Sequence, residues 1–269
     1  MAKIDLHTHS NCSDGTSSVR DILFEAKKAQ LELFSLTDHD SVEGIQKAIE
    51  LSEKLDIPFI PGVEITTHEH EHTHILGYNI DPKNKNLLNL LKKNREDRIL
   101  RVKKCIAQLV QVGINITEQQ VFDRVKISAS RAHIADVLKI NKVVANRGEG
   151  FRNYLMPGKA GYVSPIGATL KKSIYTIKEA GGIAVMAHPG LIKEHWNFPV
   201  WKEMGLDGVE VYYPSHSATM KQDLLDLCKK YNLQVFAGSD YHGPKAGRVS
   251  KMGMNISDTH LEKLKNLLQ

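Results

Sequence analysis

The chain has 269 residues, a formal net charge of +5, 41% hydrophobic residues and 25% charged residues, a balance typical of globular proteins rather than disordered ones. No apolar run reaches the roughly 18 residues of a membrane-spanning helix, and the N-terminus lacks the apolar stretch of a signal peptide. The three cysteines are scattered and odd in number, which argues against a disulfide framework and favours a cytoplasmic location.

The first part of the chain alternates between strand and helix patterns. Hydrophobic periodicity predicts, in order, a strand over 3–9, a helix over 17–30, a strand over 33–37, a helix over 43–55 and strands over 59–65 and 73–80. The connections are mostly short, as they are between βα units. This order predicts an α/β fold built around a parallel sheet or barrel.

The alternation stops at Asp81-Pro82 and resumes near Gly182. Between these points only helical patterns occur, over 86–112, 117–126, 131–139 and 146–155. After them the pattern predicts helix 167–180, strand 183–187, helix 198–204, strand 208–213, helix 217–231, strand 234–239 and helix 258–268. We therefore predict a barrel domain formed by residues 1–81 and 166–269, interrupted by a helical insertion over 82–165.

The charge is distributed unevenly between these two parts. The segment from Pro82 to Pro165 contains 17 Lys and Arg against 6 Asp and Glu, whereas the flanking parts are acidic and rich in histidine. A basic segment attracts anions and an acidic, histidine-rich one holds cations. The asymmetry indicates that the two parts have different tasks.

Nine ionisable residues lie at or near predicted strand ends, where sites form in βα folds. His7 and His9 follow the first strand and share one face of it, so both imidazoles can reach one ion. Imidazoles and carboxylates without thiolates suit Zn²⁺, Mn²⁺ or Fe²⁺. The nine predicted metal ligands are His7, His9, Asp14, His39, Glu64, His74, His188, Asp240 and His242.

These residues fall in motifs that resemble those of the PHP (polymerase and histidinol phosphatase) superfamily. The motifs are Ile4-Asp5-Leu6-His7-Thr8-His9-Ser10, Cys12-Ser13-Asp14-Gly15, Leu36-Thr37-Asp38-His39-Asp40, Pro61-Gly62-Val63-Glu64, His74-Ile75-Leu76-Gly77-Tyr78, Ala187-His188-Pro189 and Gly238-Ser239-Asp240-Tyr241-His242. The resemblance implies a distorted seven-stranded β/α (TIM-like) barrel and three divalent metal ions. By it, one ion is held by His7, His9, Glu64 and Asp240, the second by Glu64, His74 and His188, and the third by Asp14, His39 and His242.

The resemblance also implies a metal-dependent phosphoesterase that acts on a nucleotide phosphomonoester. The expected reaction converts a 3′,5′-nucleoside bisphosphate to the 5′-monophosphate and phosphate. Cleavage of short RNA by a 5′→3′ exoribonuclease is the first alternative, and histidinol-phosphate phosphatase is the next. A metal-dependent amidohydrolase and a non-catalytic metal or nucleotide sensor remain open from other classes. No membrane or obligate protein partner is evident.

Four residues outside the metal set are candidates for contacts with substrate. The expected catalytic residues are Glu64, which the resemblance makes a bridge between two ions, together with Arg131 and His216. The segment from Ser130 to Ala135 resembles the Thr-Arg-x-His-Phe-Ala element of nucleotide-directed members, which implies that Arg131 grips a substrate phosphate with its planar guanidinium. A surface arginine is the alternative. Lys159 lies in a glycine-rich loop that is either a cover or a linker. Ser215 and His216 follow a strand, where they either meet substrate or only pack, and His216 is one candidate donor for the leaving group.

The run from His68 to His74 alternates histidine with glutamate. Only His74 belongs to a motif. We expect the rest of the run to be a solvated hairpin tip, with a weak surface metal site as the alternative.

Overall fold

The computed structural model describes residues 2–247, 249 and 251–268, and within them eight strands form one sheet. The strands are β1 (Ala2–Asp5), β2 (Leu33–Leu36), β3 (Phe59–Thr66), β4 (His74–Tyr78), β5 (Ile183–Met186), β6 (Gly208–Tyr212), β7 (Gln234–Ala237) and β8 (Met254–Ile256). Their order across the sheet is β7-β6-β5-β4-β3-β2-β1-β8. The sheet curls into a nearly closed barrel, which confirms the predicted α/β barrel.

Two strands depart from the predicted parallel arrangement. β4 is antiparallel to both β3 and β5, because β3 and β4 form a hairpin. β8 is antiparallel to β1 and adds a strand to the seven that the family resemblance implies. With only three residues, β8 is too short to show a periodicity in the sequence.

The helices lie close to their predicted ranges. They are α1 (Val19–Lys28), α2 (Ile45–Leu55), α3 (Lys85–Gln111), α4 (Glu118–Phe122), α5 (Arg131–Ile140), α6 (Arg147–Gly150), α7 (Leu170–Glu179), α8 (Phe198–Glu203), α9 (Ala218–Tyr231) and α10 (Asp258–Leu268). The single helix predicted over 146–155 is instead α6 followed by a π-helical turn over Phe151–Leu155. None of the described helices has both the length and the apolar character to cross a bilayer.

Buried apolar side chains form three clusters. The largest packs the outer helices onto the sheet, and a second fills the barrel interior, where Tyr78 stacks on Phe236 at 5.1 Å between ring centroids. The third lies among α3 to α6 and includes Val102, Leu109 and Leu138. The N-terminal half of α3 contributes instead to the barrel-side cluster. The division of the chain at residues 82 and 165 stays a prediction.

The strand ends aim side chains towards one end of the barrel. His7 follows β1, His39 follows β2, His188 follows β5 and Asp240 follows β7. Two of these residues have positive φ, at 29° for His188 and 55° for Asp240. Non-glycine residues adopt this region rarely and concentrate at functional sites when they do. The backbone therefore adopts an uncommon conformation at these two predicted metal ligands.

Candidate metal centre

The carboxylate of Glu64 stands at the centre of the predicted ligand set and is 1% exposed. Its Oε2 lies 3.2 Å from Nε2 of both His7 and His9. The same oxygen lies 3.0 Å from Nδ1 of His39. Three imidazoles from two strand ends therefore converge on one carboxylate oxygen.

The other oxygen of Glu64 faces a second pair of histidines. Oε1 lies 2.8 Å from Nδ1 of His74 and 3.2 Å from Nε2 of His188. His74 comes from the antiparallel strand β4, and His188 follows β5. Because its two oxygens face different histidines, Glu64 has the geometry of a carboxylate that bridges two cations.

The remaining predicted ligands lie beside this carboxylate. Asp240 Oδ1 is 3.2 Å from His9 Nε2 and 3.5 Å from His7 Nε2, and Asp14 Oδ1 is 3.2 Å from His242 Nε2. The structure thus brings all nine predicted residues together. These residues contain three sets whose potential ligand atoms lie within 4.8 Å of one another. The first set is His7, His9, Glu64 and Asp240, the second is His39, Glu64 and His74, and the third is His9, Asp14, His39 and His242.

Several of these atoms are buried yet make no hydrogen bond within the described residues. They include Nε2 of His7, both ring nitrogens of His9, Oδ1 of Asp14, Nδ1 of His39 and Oε2 of Glu64. Buried polar atoms without partners are costly unless a cation satisfies them. Imidazole nitrogens and carboxylate oxygens turned towards common points are the donor set of a transition-metal site. The residues present therefore fit divalent metal ions.

The pKa values reflect this crowding of charge. Burial would raise the pKa of Glu64, but His39, His7 and His74 outweigh it and hold the pKa well below its usual range. Burial would likewise raise the pKa of Asp14, but His242 outweighs it and holds this pKa well below its usual range. Both carboxylates are therefore ionised at neutral pH, as metal ligands must be.

Glu210 orients one of the ligands and was missed by the sequence reasoning. It is fully buried in β6, with Oε1 3.0 Å from Nδ1 of His7 and Oε2 accepting the His188 backbone N–H at 2.7 Å. A proton on Nδ1 of His7 directed at this carboxylate leaves Nε2 as the nitrogen that faces Glu64. The available signal was a lone carboxylate inside the apolar strand β6.

Two residues from the helices between β4 and β5 form hydrogen bonds to the predicted metal ligand Asp14. Ser130 caps α5 by accepting the Ala132 N–H at 3.0 Å, and its hydroxyl also contacts Oδ2 of Asp14 at 3.1 Å. Arg147 donates to the backbone carbonyl of Asp14 at 3.1 Å. The position of this ligand therefore depends on residues from both parts of the chain.

A cavity of about 380 Å³ opens directly over the ligand cluster. Its lining includes Glu64 and Asp14 together with Arg131, Tyr213 and Ser215. Arg131 donates to the Leu155 carbonyl at 2.6 Å and pairs with Glu71. The predicted substrate residues Arg131 and Ser215 thus share one cavity with the predicted metal ligands.

Two other predicted substrate residues are placed differently. The His216 ring is engaged by backbone groups: Nε2 accepts the Gly190 N–H at 3.0 Å, and Nδ1 lies 2.9 Å from the Val211 carbonyl. Burial lowers its pKa, which favours the neutral ring. With both nitrogens engaged, His216 has a packing role here and is a poor proton donor. Lys159 is exposed and is not among the described residues that line the cavity.

The hairpin tip also differs from the expectation of a solvated segment. His68 and Glu69 are exposed, but Glu71 is only 6% exposed and contacts two arginines. No local pattern predicts these contacts, because the two arginines lie on helices 30 and 60 residues further along the chain.

The family comparison agrees with this geometry. A model of the PHP domain matches residues 5–145. A 3′,5′-nucleoside bisphosphate phosphatase from Chromobacterium violaceum is 35% identical over 92% of this chain and 90% of its own. A 5′-3′ exoribonuclease from Haemophilus influenzae is 33% identical over 90% of each chain. A phosphoribosyl 1,2-cyclic phosphate 1,2-diphosphodiesterase from Eggerthella lenta is 27% identical over 94% of this chain and 98% of its own.

Solved structures show the same architecture. A protein from Chromobacterium violaceum, described as an amidohydrolase with bound sulfate and no metal, superposes with a TM-score of 0.88 and 32% identity over 98% of this chain and 96% of that one. A protein from Bifidobacterium adolescentis, provisionally described as a metal-dependent phosphoesterase, gives a TM-score of 0.85 and 28% identity over 96% of this chain and 94% of that one. The ligand cluster, the domain match and these relatives together show that the chain belongs to the PHP family of metal-dependent phosphoesterases and is a hydrolytic enzyme.

Proposed function

We propose that this enzyme removes the 3′-phosphate of a 3′,5′-nucleoside bisphosphate, giving the 5′-monophosphate and phosphate. The observation that carries the proposal is the single cavity lined both by the ligand cluster around Glu64 and by Arg131, whose side chain is 11% exposed. A cation cluster suits the reacting phosphate, and a guanidinium suits a second, non-reacting one. The bisphosphate phosphatase from Chromobacterium violaceum supports the same assignment.

We further propose that three divalent ions, Mn²⁺, Zn²⁺ or Fe²⁺, occupy the centre. When bound, such ions supply Lewis-acid activation of water and neutralise charge on the phosphoryl oxygens. The proposed ligands are His7, His9, Glu64 and Asp240 for the first ion, Glu64, His74 and His188 for the second, and Asp14, His39 and His242 for the third.

The other cavity residues bind and orient substrate in this proposal. Arg131 binds the non-reacting phosphate, and the hydroxyl of Ser215, which lines the same cavity, offers a hydrogen bond. Tyr213 donates to Oδ2 of Asp240 at 3.1 Å and thereby fixes that ligand's orientation.

Exonucleolytic cleavage of short RNA is the second candidate, because the Haemophilus influenzae relative is named for it. Binding a longer strand requires successive aromatic platforms. The aromatic residues that line the cavity in the described structure, apart from its histidines, are Phe151 and Tyr213. A cavity of about 380 Å³ suits one small ligand better than a chain.

A substrate panel tests these assignments. With Mn²⁺ supplied, phosphate release would be measured on adenosine 3′,5′-bisphosphate, adenosine 3′-monophosphate and histidinol phosphate. Mononucleotide release would be measured on 5′-phosphorylated short RNA, and hydrolysis of a simple amide would probe amidohydrolase activity. We expect the bisphosphate to have the highest kcat/KM, with activity abolished by chelation. A preference for RNA, histidinol phosphate or the amide would replace the proposal. No turnover with Mn²⁺, or in repeat assays with Zn²⁺ and Fe²⁺, would favour a sensor.

A further inference from the structure

Three histidines that the proposed centre does not use lie close together beside the cavity. His70 and His72 come from the loop between β3 and β4, and His195 ends the 3₁₀-helical segment Pro189–His195 that follows β5. The ring centroids of His70 and His195 are 4.6 Å apart, and those of His70 and His72 are 6.2 Å apart. We refer to these three residues as the outer histidines.

The spacing of the outer histidines matches the spacing of histidines within the predicted centre. There the ring centroid of His9 lies 4.1 Å from that of His242 and 4.7 Å from that of His39, and the centroids of His39 and His242 are 6.4 Å apart. These three residues belong to one of the sets whose ligand atoms lie within 4.8 Å of one another. Rings at the distances seen among the outer histidines are therefore close enough to share one ion.

The outer histidines are less tightly gathered than the centre, since their ligand atoms do not all lie within 4.8 Å of one another. His195 is exposed and His70 is half-buried, and exposed side chains change rotamer within nanoseconds. Nδ1 of His70 accepts the His72 backbone N–H at 3.4 Å, which is longer than the usual range for such a bond. Little is therefore lost when these rings turn towards an ion.

The chemical state of His70 suits metal binding. Burial lowers the pKa of this imidazole and the neighbouring His195 lowers it further, against the opposing effect of Glu71. The ring is therefore mainly uncharged at neutral pH, as a metal-binding imidazole must be. A donor set made of imidazoles suits Zn²⁺, Ni²⁺ or Cu²⁺ rather than Mg²⁺ or Ca²⁺.

The outer histidines belong to two segments that also form the cavity wall. His72 lines the cavity, and so does Leu191 from the same 3₁₀-helical segment as His195. The ring of His72 also lies 6.5 Å from that of the proposed metal ligand His188. An ion bound by both segments would therefore cross-link two parts of the wall.

We propose that His70 and His195, with His72 as the third imidazole, form an accessory site for one Zn²⁺ or a similar transition-metal ion, separate from the centre around Glu64. The bound ion connects the loop between β3 and β4 to the segment that follows β5. The site does not depend on which phosphate ester the enzyme hydrolyses.

Zinc stoichiometry tests the site. Equilibrium dialysis of the enzyme against increasing free Zn²⁺ would count the ions bound per chain. The wild type should bind one equivalent more at saturation than His70→Ala or His195→Ala, because each variant loses one of the paired imidazoles. His68→Ala is the matched control, since it removes an exposed histidine of the same run that is not one of the outer histidines, and it should bind zinc as the wild type does.

Two results would overturn the site. The first is equal zinc stoichiometry in the wild type and His195→Ala. The second is an equal loss in His68→Ala, which would show that the histidine-rich run binds zinc without a defined geometry. Circular dichroism would verify that each variant is folded, and Gln would replace Ala in any variant that is not.

Hydrogen exchange tests the cross-link between the two segments. The wild type and His195→Ala would be compared at the same saturating free Zn²⁺, so that ions in the centre affect both proteins alike. Amide exchange in residues 69–73 and 189–195 should be slower in the wild type, because only there does an ion join the two segments. Equal exchange rates in the two proteins would refute the cross-link. Neither measurement involves catalysis, so failure of the proposed function would leave both tests valid.

Discussion

Replacement of Glu210 by glutamine should weaken metal binding although Glu210 is not one of the proposed ligands. The carboxylate accepts two hydrogen bonds at once, from Nδ1–H of His7 and from the His188 backbone N–H. A glutamine amide has one oxygen, so its NH₂ group must face one of the two donors. If it faces His7, it favours the proton on Nε2, the nitrogen that a metal ion needs. If it faces His188, a backbone N–H is left buried against another donor.

The magnitude follows from the hydrogen bond that is lost. A hydrogen bond to a charged group contributes about 1.5–3 kcal/mol, and this one is completely buried. Substitutions behind a metal-binding histidine weaken metal affinity by about 10- to 100-fold, equivalent to about 1.4–2.8 kcal/mol. The two independent ranges agree, so we expect an affinity loss of one to two orders of magnitude.

Chelator competition with Mn²⁺ and Zn²⁺, followed by elemental analysis, would measure this loss. Glu203→Gln, at an exposed position on α8, is the matched control and should bind metal as the wild type does. Circular dichroism would show that the barrel remains folded. Unchanged affinity in a folded Glu210→Gln protein would refute the assignment of Glu210 as the residue that orients His7.

Three further predictions test other parts of the structure. Glu64→Gln should lower turnover by about 10²–10⁴-fold, the scale for a major catalytic group, and should reduce the metal equivalents found by elemental analysis while leaving the circular dichroism spectrum unchanged. Ser130→Ala and Ser217→Ala each remove a helix cap, and each should lower the free energy of unfolding by about 1 kcal/mol. Only Ser130→Ala should also lower the metal content, because Ser130 contacts Asp14. Equal metal loss in both variants would contradict this prediction. Burial raises the pKa of Cys228 to about 12, so a thiol reagent at pH 8 should label it only after unfolding, and mass spectrometry showing rapid labelling of the native protein would disprove its burial.

The sequence by itself determined the order of the elements and the chemistry of the centre. Hydrophobic periodicity is a local property, so the ranges of helices such as α1, α3 and α9 could be predicted from short windows of residues. The nine ligand-type residues were visible because histidine and carboxylate at strand ends are chemically distinctive. The rule that strand ends meet at one rim of a sheet was enough to predict that these residues converge, whereas the bridging place of Glu64 was implied by the family resemblance.

Only the tertiary structure decided which partners meet across long stretches of chain. Glu210 and His7 are separated by 203 positions, and Glu71 and Arg131 by 60, so no local pattern links them. The reversed direction of β4 depends on its pairing with β3 and β5 rather than on its own residues. The same holds for His216: the sequence shows an imidazole after a strand, but the backbone groups of Gly190 and Val211 decide that its nitrogens are engaged. Side-chain type sets what a residue can do, and its three-dimensional neighbours set which of those roles is open to it.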